Sequence, residues 1–205
     1  MVAEHYFTES PSSEAKTREL RLDLAGREIT VETVSGTFSP TRLDLGTAVL
    51  LRHQPTPPAG DLLDLGCGWG PIALDAALSA KDAEVDLRVW ALDVNSRSLE
   101  TTAANAARLG LDSIRTVTAA EVPEDLQFSA IRSNPPIRIG KDALHELLST
   151  WLPRLAPGGR ADLVVSKNLG ADSLQKWIVE MLGEGFSVVR TGSSKGFRVL
   201  TIERD

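Results

Sequence analysis

The sequence has one cysteine, three histidines and no long apolar run, and each scarcity excludes a class of protein. A lone Cys67 rules out an internal disulfide framework and suits a reducing compartment. His5, His53 and His145 are scattered, with Cys67, at spacings that make no metal-ligand pattern, so no metal site is expected. No apolar stretch approaches the length of a membrane span, and the N-terminal "MVAEHYFTESPSSEAKTREL" has no signal-peptide core. These absences predict a cytoplasmic protein without a membrane partner. Positive charge is also short: 22 Lys and Arg face 28 Asp and Glu, a net charge of −6 at pH 7. Phosphate attraction supplies most non-specific affinity for nucleic acid, so such a chain is no general binder of it. If RNA is the substrate, the basic residues must be gathered on one face.

What remains is an ordinary globular composition over 205 residues, enough for one domain with a full core and short for two. "LRLDLA" (20–25) and "EITVETV" (28–34) alternate apolar and polar residues about a Gly-Arg turn, which predicts a hairpin. "RLDLGTAVLLRH" suits a short helix, and the proline-rich "QPTPPAG" (54–60) marks a boundary. The expected organisation is a hairpin and short helix over 1–54, packed on a core over 55–205.

Beyond residue 60 strands alternate with helices. "DLLDLG", "LRVWALDV", "SIRTVTA", "FSAIRS" and "RADLVVS" read as strands. "PIALDAALSA", "SRSLETTAANAARLG", "DALHELLSTWLPRLAPGG" and "DSLQKWIVEMLG" read as helices. Ser96 is expected to cap the second of these helices, and Pro157-Gly158-Gly159 to stop the third. Such alternation predicts a mostly parallel α/β sheet covered on both faces. "GSSKG" is too short for a parallel crossover, so the last two strands, "FSVVRT" and "FRVLTIER", must pair antiparallel.

"LLDLGCGWGPIAL" places Asp64, Gly66, Cys67, Gly68 and Gly70 at a strand-to-helix turn. Glycines admit positive φ and let backbone approach a ligand, and the helix start offers free N–H groups. A plain turn would not need three alternating glycines behind an aspartate. The dinucleotide pattern G-x-G-x-x-G is not met, because the third glycine comes one residue early. The D-x-G-x-G-x-G spacing is instead similar to the S-adenosylmethionine loop of class I methyltransferases. Asp93 ends the next strand, where a carboxylate can accept both ribose hydroxyls of an adenosine. Trp69 reads as wall packing, and Cys67 as a small loop residue, since no histidine lies near it in sequence.

"IRSNPPIRIGK" (131–141) leaves a strand through Asn134 and then gives up two backbone donors in succession. Each proline fixes its own φ and restricts the residue before it, so the turn is stiff. The Asn134 amide oxygen and the Pro135 carbonyl, held by Pro136, are two acceptors at fixed separation. They match the two N–H donors of a planar exocyclic amine.

Taken together, "HYFT", "GTFSPTRLDLGTAVLL", "DLLDLGCGWGPIAL", "ALDVN", "SNPPIRIGK", "LAPGGRADLVVSKNLGADSL" and "KGFRVLTIER" give the chain a near end-to-end resemblance to the methyltransferase small domain of ribosomal RNA guanine-N2 methyltransferases. The resemblance implies a seven-stranded class I fold with an antiparallel last strand, S-adenosylmethionine as cofactor, and an Asn-Pro-Pro amine clamp. It implies ribosomal RNA or a ribosomal subunit as partner, with Val94, Asn95 and Glu121 joining the cofactor residues. Ile137 stands where many nucleobase enzymes carry an aromatic, and Glu121 follows Ala119-Ala120 where an acid is expected at the third strand. Longer members carry a second, N-terminal copy of the domain with no counterpart in these residues. Ile137, Arg138, Lys141, Lys167, Lys195 and Arg198 are the candidates for substrate contact. The same clamp suits a protein glutamine amide or a small-molecule amine, and a cofactor-binding module without turnover is the non-enzymatic alternative.

Overall fold

The computed structural model describes residues 14–205 and, among these, every side chain but that of Arg138. "HYFT" lies outside the described residues. The chain opens with a hairpin, β1 (Thr17–Leu24) and β2 (Arg27–Val34), registered from Thr17 opposite Val34 to Leu24 opposite Arg27. Ala25 and Gly26 turn it with φ of 48° and 73°, the paired left-handed geometry that matches strand twist. Period-2 alternation puts Ile29, Val31 and Thr33 on the buried side. Helix α1 (Leu45–His53) follows, its first turn capped by Asp44, whose carboxylate accepts from Thr47 N.

The core alternates β3 (Gly60–Leu65), α2 (Pro71–Asp82), β4 (Leu87–Leu92), α3 (Ser96–Arg108) and β5 (Ile114–Val117). After β6 (Phe128–Ser133) come α4 (Lys141–Trp151), β7 (Leu155–Ser166), α5 (Ala171–Leu182), β8 (Phe186–Ser194) and β9 (Phe197–Arg204). The seven strands of this sheet run in the order β5-β4-β3-β6-β7-β9-β8, and β9 is antiparallel to both its neighbours. Asp61 to Leu65 are all buried, as expected of a central parallel strand covered on both sides. Leu63 and Leu65 face a core with Phe128, Leu148 and Trp151, whereas Leu62 faces one shared with Leu74, Trp69 and hairpin residues Leu24 and Val31. The hairpin thus completes the second layer. Among the described residues no helix is long and apolar enough to cross a membrane.

Two local expectations are corrected. Asn95, not Ser96, caps α3, because its side-chain oxygen accepts from Arg97 N and Ser98 N. Helix α4 ends at Trp151, before Pro153, which has no N–H to continue the ladder. Pro157-Gly158-Gly159 then lies within β7, where the register with β6 jumps between Phe128 opposite Leu155 and Ala130 opposite Arg160. These residues form a bulge in a strand and do not stop a helix.

Asn105 of α3 joins hairpin to core. It is fully buried, its Oδ1 accepts from Glu32 N at 2.7 Å, and its Nδ2 donates to Glu32 O at 2.8 Å and Trp69 O at 3.1 Å. Asn105→Ala strands three backbone groups, one buried and two part-buried, and should lower unfolding free energy by about 2 kcal/mol. Urea denaturation checks this; a loss below about 1 kcal/mol would show that the hairpin is not anchored here.

Candidate active site

The strand order reverses between β3 and β6, which pair through Leu62–Ala130, Leu63–Ile131 and Asp64–Arg132. Ligands of open α/β sheets bind beyond the carboxyl ends of strands at such a switch point. The glycine loop leaves β3 there, and Asn134 leaves β6 beside it. Gly66, Gly68 and Gly70 all have positive φ, at 81°, 59° and 94°. A Cβ on Gly66 would meet nothing within 4 Å, because this glycine faces a cavity; one on Gly70 would lie 2.9 Å from Thr102 Cγ2. Gly66 therefore gives access to a ligand, and Gly70 lets α2 start close against α3.

Asp93 faces the same cavity, which is also walled by Phe38, Val94, Ser98, Leu147 and the Asn134–Pro136 turn. Its Oδ2 accepts from Gly68 N at 2.9 Å and its Oδ1 from Asn95 N at 2.9 Å. Each oxygen keeps capacity for a further donor, such as a ribose hydroxyl. Val94 is 53% exposed, an apolar edge at the cavity mouth. An open glycine cradle, a carboxylate with spare acceptors and an apolar edge fit the methionine, ribose and adenine parts of S-adenosylmethionine.

On the other side of Asn134 a wider cleft of about 560 Å³ is lined by Phe38, Asp44, Asn134, Pro135, Ile137 and Phe197, among others. Phe38, Asn134 and Pro135 wall both cavities, so two ligands bound there would meet at the amide. Asn134 Nδ2 donates to Asp44 Oδ2 at 2.9 Å and to Thr47 Oγ1 at 3.0 Å. A carboxylate only accepts, so the amide nitrogen must face it and Oδ1 must face away. Pro135 O accepts from Ile137 N at 2.9 Å and keeps its second lone pair.

The remaining candidates take different places. Asp64 is fully buried beneath the loop and accepts from Ala73 N at 3.0 Å. Cys67 is buried with its Sγ turned to Thr102. Asn95 caps α3 and donates to Gly36 O at 3.0 Å, so these three side chains shape the loop from behind. Glu121 is exposed, with its carboxylate committed to Thr118 N at 2.7 Å and Thr118 Oγ1 at 2.8 Å, away from the cavity wall. Lys167 and Lys195 are exposed and adjacent, since Lys167 N donates to Gly196 O at 2.8 Å across from the β8–β9 turn. Lys141 begins α4, also exposed. Arg198 is corrected: it is 9% exposed and paired with Asp172, not an open cation at the mouth. The Arg138 side chain lies outside the described set. Phe38, Asp44, Thr47 and Phe197 did not emerge from motif reading. Asp44 followed three residues later by Thr47, ahead of an apolar run, was a legible helix start, but its contact with Asn134 spans 90 residues of sequence.

This sheet order, with the glycine loop and the Asn-Pro-Pro turn at its switch point, defines a class I methyltransferase fold. Residues 28–201 match the family model of the methyltransferase small domain, and the chain belongs to that family. It is 30% identical over 99% of its length to the whole of the uncharacterized protein YbxB of Bacillus subtilis. It is 33% identical, over 95% of its length, to the ribosomal RNA small subunit methyltransferase C of Ectopseudomonas mendocina, covering 57% of that protein. In structure it resembles the 16S rRNA N2 G1207 methyltransferase RsmC of T. thermophilus, solved with AdoMet and guanosine. The TM-score is 0.77 at 22% identity, over 95% of this chain and 52% of that one. The chain therefore spans about half the length of the ribosomal RNA methyltransferases it matches.

Burial pushes the Asp64 carboxyl up from 3.8 to about 8, against the pull of Ala73 N–H and the more distant Arg132, and its Oδ1 has no partner among the described residues. A carboxyl whose pKa is raised by folding favours the folded state most below its unfolded pKa, and that advantage is lost as pH rises to the folded value. The stability of the native chain relative to Asp64→Asn should therefore fall between about pH 4 and pH 8, by up to about 1.4 kcal/mol per pH unit, then level off. Denaturation of both proteins across that range checks the slope; parallel curves would mean that Asp64 stays ionised.

Proposed function

We propose that this chain transfers the methyl group of S-adenosylmethionine to the exocyclic N2 amine of a guanine in ribosomal RNA. Asn134 carries this reading: it walls both cavities, and its amide nitrogen is held by Asp44 and Thr47, which leaves Oδ1 free to accept from a ligand. The names of the ribosomal RNA relatives and the guanosine-bound neighbour support the choice of acceptor. The cofactor, when bound, supplies a methyl group on an electron-poor sulfonium. Gly66 would leave room for it beside the loop backbone, Asp93 would accept from its ribose hydroxyls, and Val94 would offer an apolar edge to its base.

The acceptor side belongs to Asn134 and Pro135. Their two oxygens accept the two N–H bonds of the amine, fixing its plane and aiming its lone pair at the cofactor cavity. The same oxygens stabilise the positive charge that grows on nitrogen as it forms a fourth bond. The proton can leave afterwards, so no general base is needed before attack. Phe38 and Phe197 supply aromatic faces to a cleft in which residue 137 has none. In this reading the core over 55–205 holds the cofactor, and the segment before it supplies Phe38, Asp44 and Thr47. The enzyme works where ribosomal RNA is made, in the cytoplasm.

Asn134→Ala should lower kcat about 10²- to 10³-fold while leaving the affinity for S-adenosylhomocysteine within about threefold. Asp93→Ala should do the reverse in calorimetry, weakening the cofactor product at least about tenfold by losing an acceptor pair. Retained turnover of Asn134→Ala on unmethylated ribosomal RNA would remove the clamp. Loss of cofactor binding instead would assign Asn134 to the cofactor.

With a net charge of −6, phosphate contact must be local; Lys141, Lys167 and Lys195 are exposed, and Lys167 and Lys195 are close in sequence to Ser166 and Phe197 of the wide cleft. Activity on RNA should fall with salt at a log–log slope of roughly −0.7 to −0.9 per neutralised phosphate. Lys167→Glu with Lys195→Glu should flatten that slope by about two such contacts and leave cofactor affinity unchanged. Activity insensitive both to salt and to the two reversals would point to a protein amide or a small-molecule amine as acceptor.

A further inference from the structure

Asp44 does more than cap α1. Its carboxylate is half-buried and doubly held: Oδ2 accepts from Thr47 N at 3.1 Å and from Asn134 Nδ2 at 2.9 Å. Both bonds go to the same oxygen. Oδ1 makes no hydrogen bond among the described residues, and Asp44 lines the wide cleft next to Asn134 and Pro135. The α1 N-terminus favours the negative charge at this position. Three neighbouring residues of the cleft wall thus each keep an acceptor: Pro135 O, Asn134 Oδ1 and Asp44 Oδ1.

From these neighbouring acceptors we infer that Asp44 is the specificity residue that reads a guanine by its N1–H. The inference rests on the guanine reading given above and adds to it the means of choice. On its Watson–Crick edge guanine presents the N2 amine and, beside it, N1–H, so its donors continue past the reacting nitrogen. Adenine presents an amine beside N1, which is an acceptor. A carboxylate oxygen next to the amine clamp completes the guanine edge and opposes the lone pair of adenine N1. Buried polar groups left facing the wrong partner make such discrimination steep, because neither side can then recover its lost hydration. The choice is therefore built into the same side chain that turns the Asn134 amide, and a base that does not satisfy Asp44 is also poorly placed for the clamp.

Asp44→Asn separates the two roles. Asparagine caps helices well, and its carbonyl can take the place of Oδ2, accepting from Thr47 N and Asn134 Nδ2. Its NH₂ then replaces Oδ1, so a donor faces the incoming N1. The probes are guanosine, adenosine and 2-aminopurine riboside, the last keeping the 2-amine but having an unprotonated N1. Binding of each is measured by NMR titration of the full chain saturated with S-adenosylhomocysteine. The native protein should hold guanosine at least about tenfold tighter than the other two, as expected for one charge-assisted hydrogen bond gained against one lone-pair clash. Asp44→Asn should lose that preference and favour 2-aminopurine riboside over guanosine, with S-adenosylhomocysteine affinity and melting temperature near those of the native protein. Asp44→Ala, lacking both oxygens, should bind all three nucleosides alike and transfer methyl groups slowly.

Nucleoside analysis of unmethylated ribosomal RNA treated with the native enzyme runs alongside. If N2-methylguanosine forms and Asp44→Asn keeps the native preference for guanosine, Asp44 does not read the base and the inference is overturned while the methyltransferase reading stands. If no N2-methylguanosine forms and the native protein does not prefer guanosine, both are overturned.

Discussion

Pairing of β3 with β6 is the constraint on which the site depends. Every other parallel pair in the sheet continues one half of the fold, whereas this pair joins the two halves where their winding diverges. Hydrogen bonds from Leu62 to Asp64 against Ala130 to Arg132 set the two strand ends level. A slip of one residue would turn every side chain of β6 to the other face and move Asn134 away from the glycine loop. The cavity beside the glycine loop and the cleft beyond Asn134 are thus aligned by backbone geometry, before any polar side chain contributes.

Polar burial around that pair is tolerated because it shapes the loop. Asp64 and Arg132 lie opposite one another in register, both buried, yet desolvation dominates for each, raising the carboxyl and lowering the guanidinium. Arg132 spends one nitrogen on Pro55 O at 2.7 Å, on the connection leading into β3. Asp64 spends one oxygen on the first turn of α2. A hydrophobic pair would be easier to bury. It would leave both the connection and the start of α2 without these bonds.

The wide cleft is assembled from three distant parts of the chain: the segment with Phe38 and Asp44, the turn at Asn134, and the start of β9 at Phe197. Phe197 explains the glycine at position 46, where a Cβ would sit 2.9 Å from its ring and 3.0 Å from Asp44 Oδ2. Gly46 thus lets the aromatic ring and the carboxylate come together at the start of α1. The β8–β9 turn that carries Lys195 is tied to Lys167 by a backbone bond, which brings two lysines together on an otherwise acidic molecule.

Local pattern by itself determined much of this protein. Alternation of apolar strands and helices dictated a covered parallel sheet, and the short link before β9 dictated its antiparallel return. Glycine spacing and the Asn-Pro-Pro turn marked two loops that line the cavities, because positive φ and lost N–H groups are properties of single residues. Errors came where a local signal had two uses. Pro157-Gly158-Gly159 can stop a helix or bulge a strand, and only pairing with β6 selects the bulge. Tertiary structure alone decided which polar side chains line the cavity and the cleft and which serve the frame. Glu121 looks like a cofactor acid in sequence, yet its carboxylate closes on its own turn. Asp44 reads as an ordinary helix cap, yet folding places it within hydrogen-bond distance of Asn134, 90 residues along the chain. A carboxylate's role is set by which donors share its space, and packing of distant segments determines those donors.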